Sequence, residues 1–171
     1  MKLNYWLSPD LHLGHDMLWK ENIRPKDFEW KIHSNHINMI KSEDIWICLG
    51  DFSFYRNEFW HKIFLQDIVC KKKWLILGNH DKKSMTWYLN MGWDFVGKEI
   101  KLNMFGYNIL LSHKPIFDGY FNINIHGHLH EGVHRPKKLI ENSERNILLS
   151  MEHNYSPFNL RHVVEHQNKY R

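Results

Sequence analysis

Cysteine is scarce in this chain: only Cys48 and Cys70 occur in 171 residues, and neither sits in a Cys-x-x-Cys pair or at zinc-finger spacing. That excludes a disulfide framework and a structural thiolate metal site, and leaves two apolar-flanked thiols suited to a reducing compartment. Long apolar runs are also missing, since none approaches the roughly 20 residues a membrane-spanning helix needs. The short N-terminal run Leu3 to Leu7 is cut by Pro9, Asp10 and His12, with no small-residue cleavage site after it. The sequence therefore predicts a cytoplasmic protein without an export signal or membrane partner. Repeats, low-complexity tracts and linkers are absent too, so residues 1–171 are expected to form a single domain. Nothing points to an obligate protein partner.

What is present is histidine, 14 in all, together with a formal charge of +4 and a pI near 9.0. The positive balance favours encounter with phosphate-bearing molecules without selecting one. Lys2 to Leu7 reads as a strand, ended by Ser8-Pro9-Asp10 because proline cannot donate to a sheet ladder. From Pro25 the apolar spacing through Ile40 predicts a helix. Asp44 to Leu49 is a short apolar run stopped by Gly50-Asp51, the pattern of a buried strand. Asn57 to Val69 reads as helix, and Trp74 to Leu77 as a strand stopped by Gly78. Phe95 to Met104 and Tyr107 to Leu111 flank Phe105-Gly106 as a hairpin, and Asn122 to Ile125 and Asn146 to Met151 add strands. Two packed sheets with helices outside follow from this order.

Five short polar pieces each follow a predicted strand: Asp10-Leu11-His12, Gly50-Asp51, Gly78-Asn79-His80-Asp81, Ser112-His113 and Gly127-His128-Leu129-His130. Any one is weak, because an isolated Asp-x-His is more often a loop pairing than a ligand set. Together they place carboxylates and imidazoles at successive strand exits. Residues two apart in extended backbone share a side, so Asp10 with His12 and His128 with His130 can each converge on one centre. Oxygen and imidazole donors without thiolates suit manganese, iron, nickel or zinc in a hydrolytic site.

The ordered set resembles the five signature blocks of the calcineurin-like metallophosphoesterases, over about Asp10 to His130. The resemblance implies a four-layer α/β/β/α sandwich of two mixed sheets flanked by helices, with the metal site at the carboxyl ends of strands. It implies two divalent ions, manganese first and iron, nickel or zinc as alternatives. One would be held by Asp10, His12, Asp51 and His130, the other by Asp51, Asn79, His113 and His128, with Asp51 bridging. His80 is similar to the family's non-ligand histidine, which contacts the phosphoryl group and protonates the leaving oxygen, and Asp81 would orient its ring. The opening block, Arg24-Pro25 and Asn154-Tyr155-Ser156-Pro157 are similar to a small uncapped branch of bacteria and their phages. Pro9 departs from that pattern, where serine is usual. Gly50-Asp51-Phe52-Ser53-Phe54 lacks the Asp-Arg-Gly ending of protein phosphatases, and Asp81 replaces that branch's glutamate, which disfavours a Ser/Thr phosphatase.

The resemblance thus implies phosphoester hydrolysis, with phosphodiesters such as nucleotides or nucleic-acid ends as the leading substrates. The alternatives are a phosphomonoesterase, a catalytically silent interaction module and a metal-binding or storage protein. His15 is placed to touch phosphate or support a ligand, or to make a loop hydrogen bond. His126 suits a phosphate or supporting role. Arg24 offers a planar fork for phosphate or simply faces solvent. Arg135, Lys137 and Lys138 form either a positive rim for a nucleotide chain or a solvated turn.

Overall fold

The computed structural model describes residues 3–55, 57–130 and 145–169. Its elements in chain order are β1 (Tyr5–Ser8), α1 (Met17–Lys20), α2 (Phe28–Met39), β2 (Ile45–Cys48), α3 (Asn57–Asp67), β3 (Lys72–Ile76), α4 (Met85–Met91), β4 (Phe95–Gly97), β5 (Glu99–Met104), β6 (Tyr107–Ser112), β7 (Ile123–His126), β8 (Asn146–Leu148), β9 (Phe158–Asn159) and α5 (Leu160–Glu165). Short 3-10 turns add Met151–His153 and Gln167–Lys169. Lys2, predicted to open the first strand, lies outside the described residues. No helix among the described residues is long and apolar enough to cross a membrane.

Two mixed sheets result. The first has the order β4-β3-β2-β1-β9, parallel except for β9. The second runs β5-β6-β7-β8, with only the β5–β6 hairpin antiparallel. β2 is buried along its whole length, and the twofold alternation of a strand divides its side chains between two cores. Ile45, Ile47 and Leu49 join Ile109, Leu111, Ile123, Ile125 and Ile147 in an aliphatic core between the sheets. Trp46 and Cys48 face the other way, into an aromatic core with Phe28, Phe64, Tyr88 and Trp93. The helices α2, α3 and α4 supply that second core, and α5 lends Leu160, Val163 and Val164 to the first. The mixed sheets flanked by helices agree with the expected sandwich.

The run Phe95 to Met104 is not one hairpin arm. It divides at Lys98: β4 pairs in parallel with β3 in the first sheet, while β5 pairs with β6 in the second. Gly97 lets the chain leave, because a Cβ there would sit 2.7 Å from the Phe95 ring. α4 has a propensity-neutral sequence but a sound cap, with Ser84 accepting from the Trp87 amide and Gly92 closing the helix at φ 116°.

Two histidines belong to the aromatic core rather than to any site. His36 Nδ1–H donates to the Ile32 carbonyl (2.7 Å) and Nε2 accepts from Ser8 Oγ (2.7 Å), which itself accepts from Trp46 Nε1 (2.9 Å). His61 Nδ1 accepts from Trp93 Nε1 at 2.9 Å. Burial pushes their pKa values down to about 4 and about 3, so both are neutral packing groups.

Candidate metal centre

All seven predicted ligand positions lie just past the carboxyl end of a strand: Asp10 and His12 after β1, Asp51 after β2, Asn79 after β3, His113 after β6, and His128 and His130 after β7. Parallel pairing sends β1, β2 and β3 the same way, and likewise β6 and β7, so these exits gather at one end of the molecule. The first two loops run side by side, with the amides of Asp10, His12 and Leu13 donating to the carbonyls of Gly50, Asp51 and Phe52 at 2.9–3.2 Å.

The i, i+2 pairs do converge, but not through extended backbone. Asp10, His12, Asp51, His128 and His130 all have φ between 45° and 68°, the left-handed region that costs a non-glycine residue about 1 kcal/mol or more. Five strained residues in one cluster are a mark of a functional site rather than of a packing accident. Glycines make the approach possible: a Cβ on Gly78 would lie 2.1 Å from Asp51 Oδ1, and one on Gly127 2.0 Å from Asp10 Oδ2.

The donor atoms fall into two touching groups, Asp10, His12 and His130 in one and Asp51, His113 and His128 in the other. In the first group His12 Nε2 and His130 Nε2 are 3.2 Å apart. In the second, His113 Nε2 lies 3.0 Å from His128 Nδ1, 2.9 Å from Asn79 Oδ1 and 3.3 Å from Asp51 Oδ2. Asp51 Oδ2 is also 3.6 Å from His12 Nε2, so its carboxylate stands between the groups. Nitrogen ligands at bond lengths of about 2.0–2.1 Å are separated by about 2.9–3.3 Å around one ion, and the observed spacings match. Asp10 Oδ1 is buried and has no hydrogen-bond partner, although His12, His113 and His130 nitrogens surround it at 3.8–4.0 Å. A buried carboxylate oxygen left unpaired is costly, and a divalent cation would satisfy it. The residues present therefore fit a pair of divalent ions.

The electrostatics divide the carboxylates. Burial pushes Asp10 up to about 6 against the lowering charges of His130 and His113. Burial also acts to raise Asp51, but the His113 hydrogen bond and charge, then the His12 charge, hold it well below the usual carboxylate range. Burial drives His12 well below the ordinary histidine value, which keeps it in the neutral form that binds metal. For His113 and His130 burial is outweighed, by Asp51 and Asp10 in one case and by Glu152 and Asp10 in the other, and both are raised.

The remaining predicted residues separate. His80 lines the cavity beside the ligands, its ring 5.3 Å from that of His12, and its amide donates to Asp51 Oδ1 at 2.7 Å. His15 also lines the cavity, stacked on Phe54 at 4.0 Å with Nδ1 unpartnered. Asp81 does not orient the His80 ring: its carboxylate accepts from the amides of Asp51 (2.8 Å), Phe52 (3.2 Å) and Gly78 (2.8 Å), tying two ligand loops together. Arg24 does not face solvent. Its buried guanidinium donates to the carbonyls of Leu11 (2.7 Å) and Asp10 (2.8 Å) and pairs with Glu152. His126 is also withdrawn, 2% exposed, with Nδ1 donating to the Gly127 carbonyl and burial pushing it down to about 4. Arg135, Lys137 and Lys138 lie outside the described residues.

Glu152 is the residue the sequence reading missed. It accepts from Arg24 Nε at 2.8 Å and from Ser150 Oγ, and faces His130 Nδ1 at 3.1 Å. Burial acts to raise it, but His130, Arg24 and Ser150 hold it well below the carboxylate range. Its one sequence signal is a carboxylate just past a strand, as at Asp51. Glu152 and Glu21 help to line the cavity of about 410 Å³ over the ligands, whose other wall is apolar, formed by Met17, Leu18, Ile23 and Leu129.

No family model matches the chain. An uncharacterized protein of Methanocaldococcus jannaschii is 28% identical over 171 residues, with 94% of this chain and 89% of that protein covered. A protein of unknown function from Aquifex aeolicus superposes with a TM-score of 0.79 at 24% identity, covering 96% of this chain and 99% of that one, a likeness of fold. An archaeal phosphodiesterase superposes with a TM-score of only 0.45 at 18% identity over 88% of this chain and 82% of that one, too slight to carry weight.

Proposed function

We propose that this protein is a metal-dependent phosphoester hydrolase of the calcineurin-like metallophosphoesterase type, acting on phosphodiesters of nucleotide size. The observation that carries the reading is Asp10 Oδ1, a buried, unpartnered carboxylate oxygen at the meeting of two donor groups that share Asp51. Asp10, His12, Asp51 and His130 would hold one divalent ion, and Asp51, Asn79, His113 and His128 the other, with manganese the first candidate and iron, nickel and zinc behind it. Such ions supply Lewis-acid charge for a phosphoryl group and acidify water for attack on phosphorus. His80 holds a proton at the cavity wall and delivers it to the departing ester oxygen. Asp51 and Asp81 keep His80 in place through the backbone, the former by the His80 amide and the latter by binding the loops on either side.

The cavity lining favours diesters over monoesters. Among the described residues no lysine or arginine lines it, while Glu21 and Glu152 do, and a phosphomonoester dianion gains least from such a wall. The apolar side formed by Met17, Leu18, Ile23 and Leu129 suits an organic ester group such as a nucleoside. The test is turnover of a chromogenic phosphodiester beside its monoester, by protein stripped of metal and then given manganese, nickel, zinc or magnesium. Metal-restored diester turnover is expected. A monoester preference contradicts the substrate reading, and two bound ions without turnover of either ester would instead support a silent module.

A further inference from the structure

Three imidazoles of the centre are held in different ways. His113 Nδ1–H donates to the Leu49 carbonyl at 3.0 Å, a backbone group that cannot leave the sheet end. His12 Nδ1 is buried with no partner at all. His130 Nδ1 faces a side chain, Glu152 Oε1, at 3.1 Å, and Glu152 is itself fixed by Arg24 and Ser150. Arg24 then reaches back to the carbonyls of Leu11 and Asp10, inside the first ligand loop. One continuous polar chain therefore runs from the Asp10–His12 loop through Arg24 and Glu152 to His130. The second donor group meets this chain at its Asp10–His12 end, where the His128 amide donates to Asp10 Oδ2 at 2.7 Å and Asp51 Oδ2 lies 3.6 Å from His12 Nε2, while His113 is braced by the Leu49 carbonyl instead.

We propose that Glu152 is a positioning residue for one ion only: it fixes the Nδ1–H tautomer of His130, leaves Nε2 as the donor atom, and with Arg24 sets the distance between the Asp10–His12 loop and the His130 loop. A carboxylate behind a histidine orients the ring and strengthens it as a ligand, and its loss costs about 10–100-fold in metal affinity. The ion at Asp10, His12 and His130 depends on this chain of contacts. The ion at Asp51, His113 and His128, backed by the Leu49 carbonyl, does not. The proposal rests on the two-ion reading above, and only on its metal-binding part.

The test titrates Mn2+ alone into the whole metal-free protein by calorimetry, with metal analysis for stoichiometry. Wild type is expected to bind two ions. Glu152→Ala is expected to weaken one step about 10–100-fold and leave the other within about twofold, and Glu152→Gln, which keeps the shape and an acceptor oxygen, to weaken that same step less. Should Glu152→Ala fail to fold, Glu152→Gln carries the test through nitrogen-15 shifts of His130. These should report a single Nδ1–H tautomer in wild type and a mixture in the variant. Equal weakening of both steps, no weakening, or an unchanged tautomer would overturn the proposal. Absence of Mn2+ binding by wild type would instead overturn the two-ion reading.

Discussion

The two donor groups are built from the same residue types and are secured differently. Asp51, His113 and His128 stand on the end of the central sheet region, with His113 braced by the Leu49 main chain and Asp51 drawn well below the carboxylate range by His113 and His12. Asp10, His12 and His130 hang on loops from both ends of the ligand-bearing sequence, and side chains far along the chain join them: Arg24 and Glu152 are 128 residues apart. Here Asp10 is pushed up to about 6 and one of its oxygens has no partner. The difference teaches that a backbone-braced half is robust by construction, while a side-chain-braced half can be weakened by one substitution outside the ligand set.

Substitution at the shared residue should erase the difference. Asp51→Ala removes the carboxylate common to both groups, so both ions should be lost and diester turnover should fall by at least about 10³-fold; retention of either ion at micromolar Mn2+ would contradict the bridging role. His80→Ala should spare both groups alike, with two ions still bound and turnover lowered about 10²–10⁴-fold. Wild-type rates in that variant would rule out its role as proton donor.

The glycines sharpen the comparison. A Cβ at position 127 collides with Asp10 and one at position 78 with Asp51, and overpacking of this kind costs about 1–3 kcal/mol. Gly127→Ala should therefore weaken one Mn2+ step in calorimetry and Gly78→Ala both. Identical profiles for the two variants would argue against two separable groups.

Histidines outside the centre provide the smallest effect and the control, since it touches stability alone. His36 is held neutral, its pKa pushed down to about 4 by burial, whereas in the unfolded chain it takes up a proton below about 6.5. Its contribution is complete above that value and is lost as the pH falls toward 4. Denaturant unfolding at pH 7 and pH 5 should show an acid loss that His36→Gln reduces by on the order of 1–2 kcal/mol, the remainder staying with groups such as His61 and His126 that burial also holds neutral; an unchanged slope would contradict the neutral assignment.

The gathering of the candidate ligand positions at one end was readable because each motif follows a strand whose apolar run ends abruptly, as Ile45–Cys48 does before Gly50-Asp51. How they converge was not readable. Extended geometry was expected for Asp10 with His12, whereas left-handed backbone delivers them, and that conformation is imposed by the neighbouring loop rather than by local preference. Arg24, Asp81 and Glu152 share a further limit. Apart from Ser150 beside Glu152, their partners are backbone groups or residues distant in sequence, so no local pattern signals that Arg24 turns inward or that Asp81 serves amides rather than His80. The division of Phe95 to Met104 between two sheets likewise depends on which edge each half meets. α4 was missed because its seven residues are too few to show a helical repeat, although Ser84 three before Trp87 is a capping signal.

The most direct test of the two-ion centre is anomalous diffraction at the manganese edge from crystals soaked in Mn2+. Two peaks about 3.5–4 Å apart, one at Asp10, His12 and His130, the other at Asp51, His113 and His128, and both touching Asp51, are the predicted result. A single peak, or none at these residues, would contradict it.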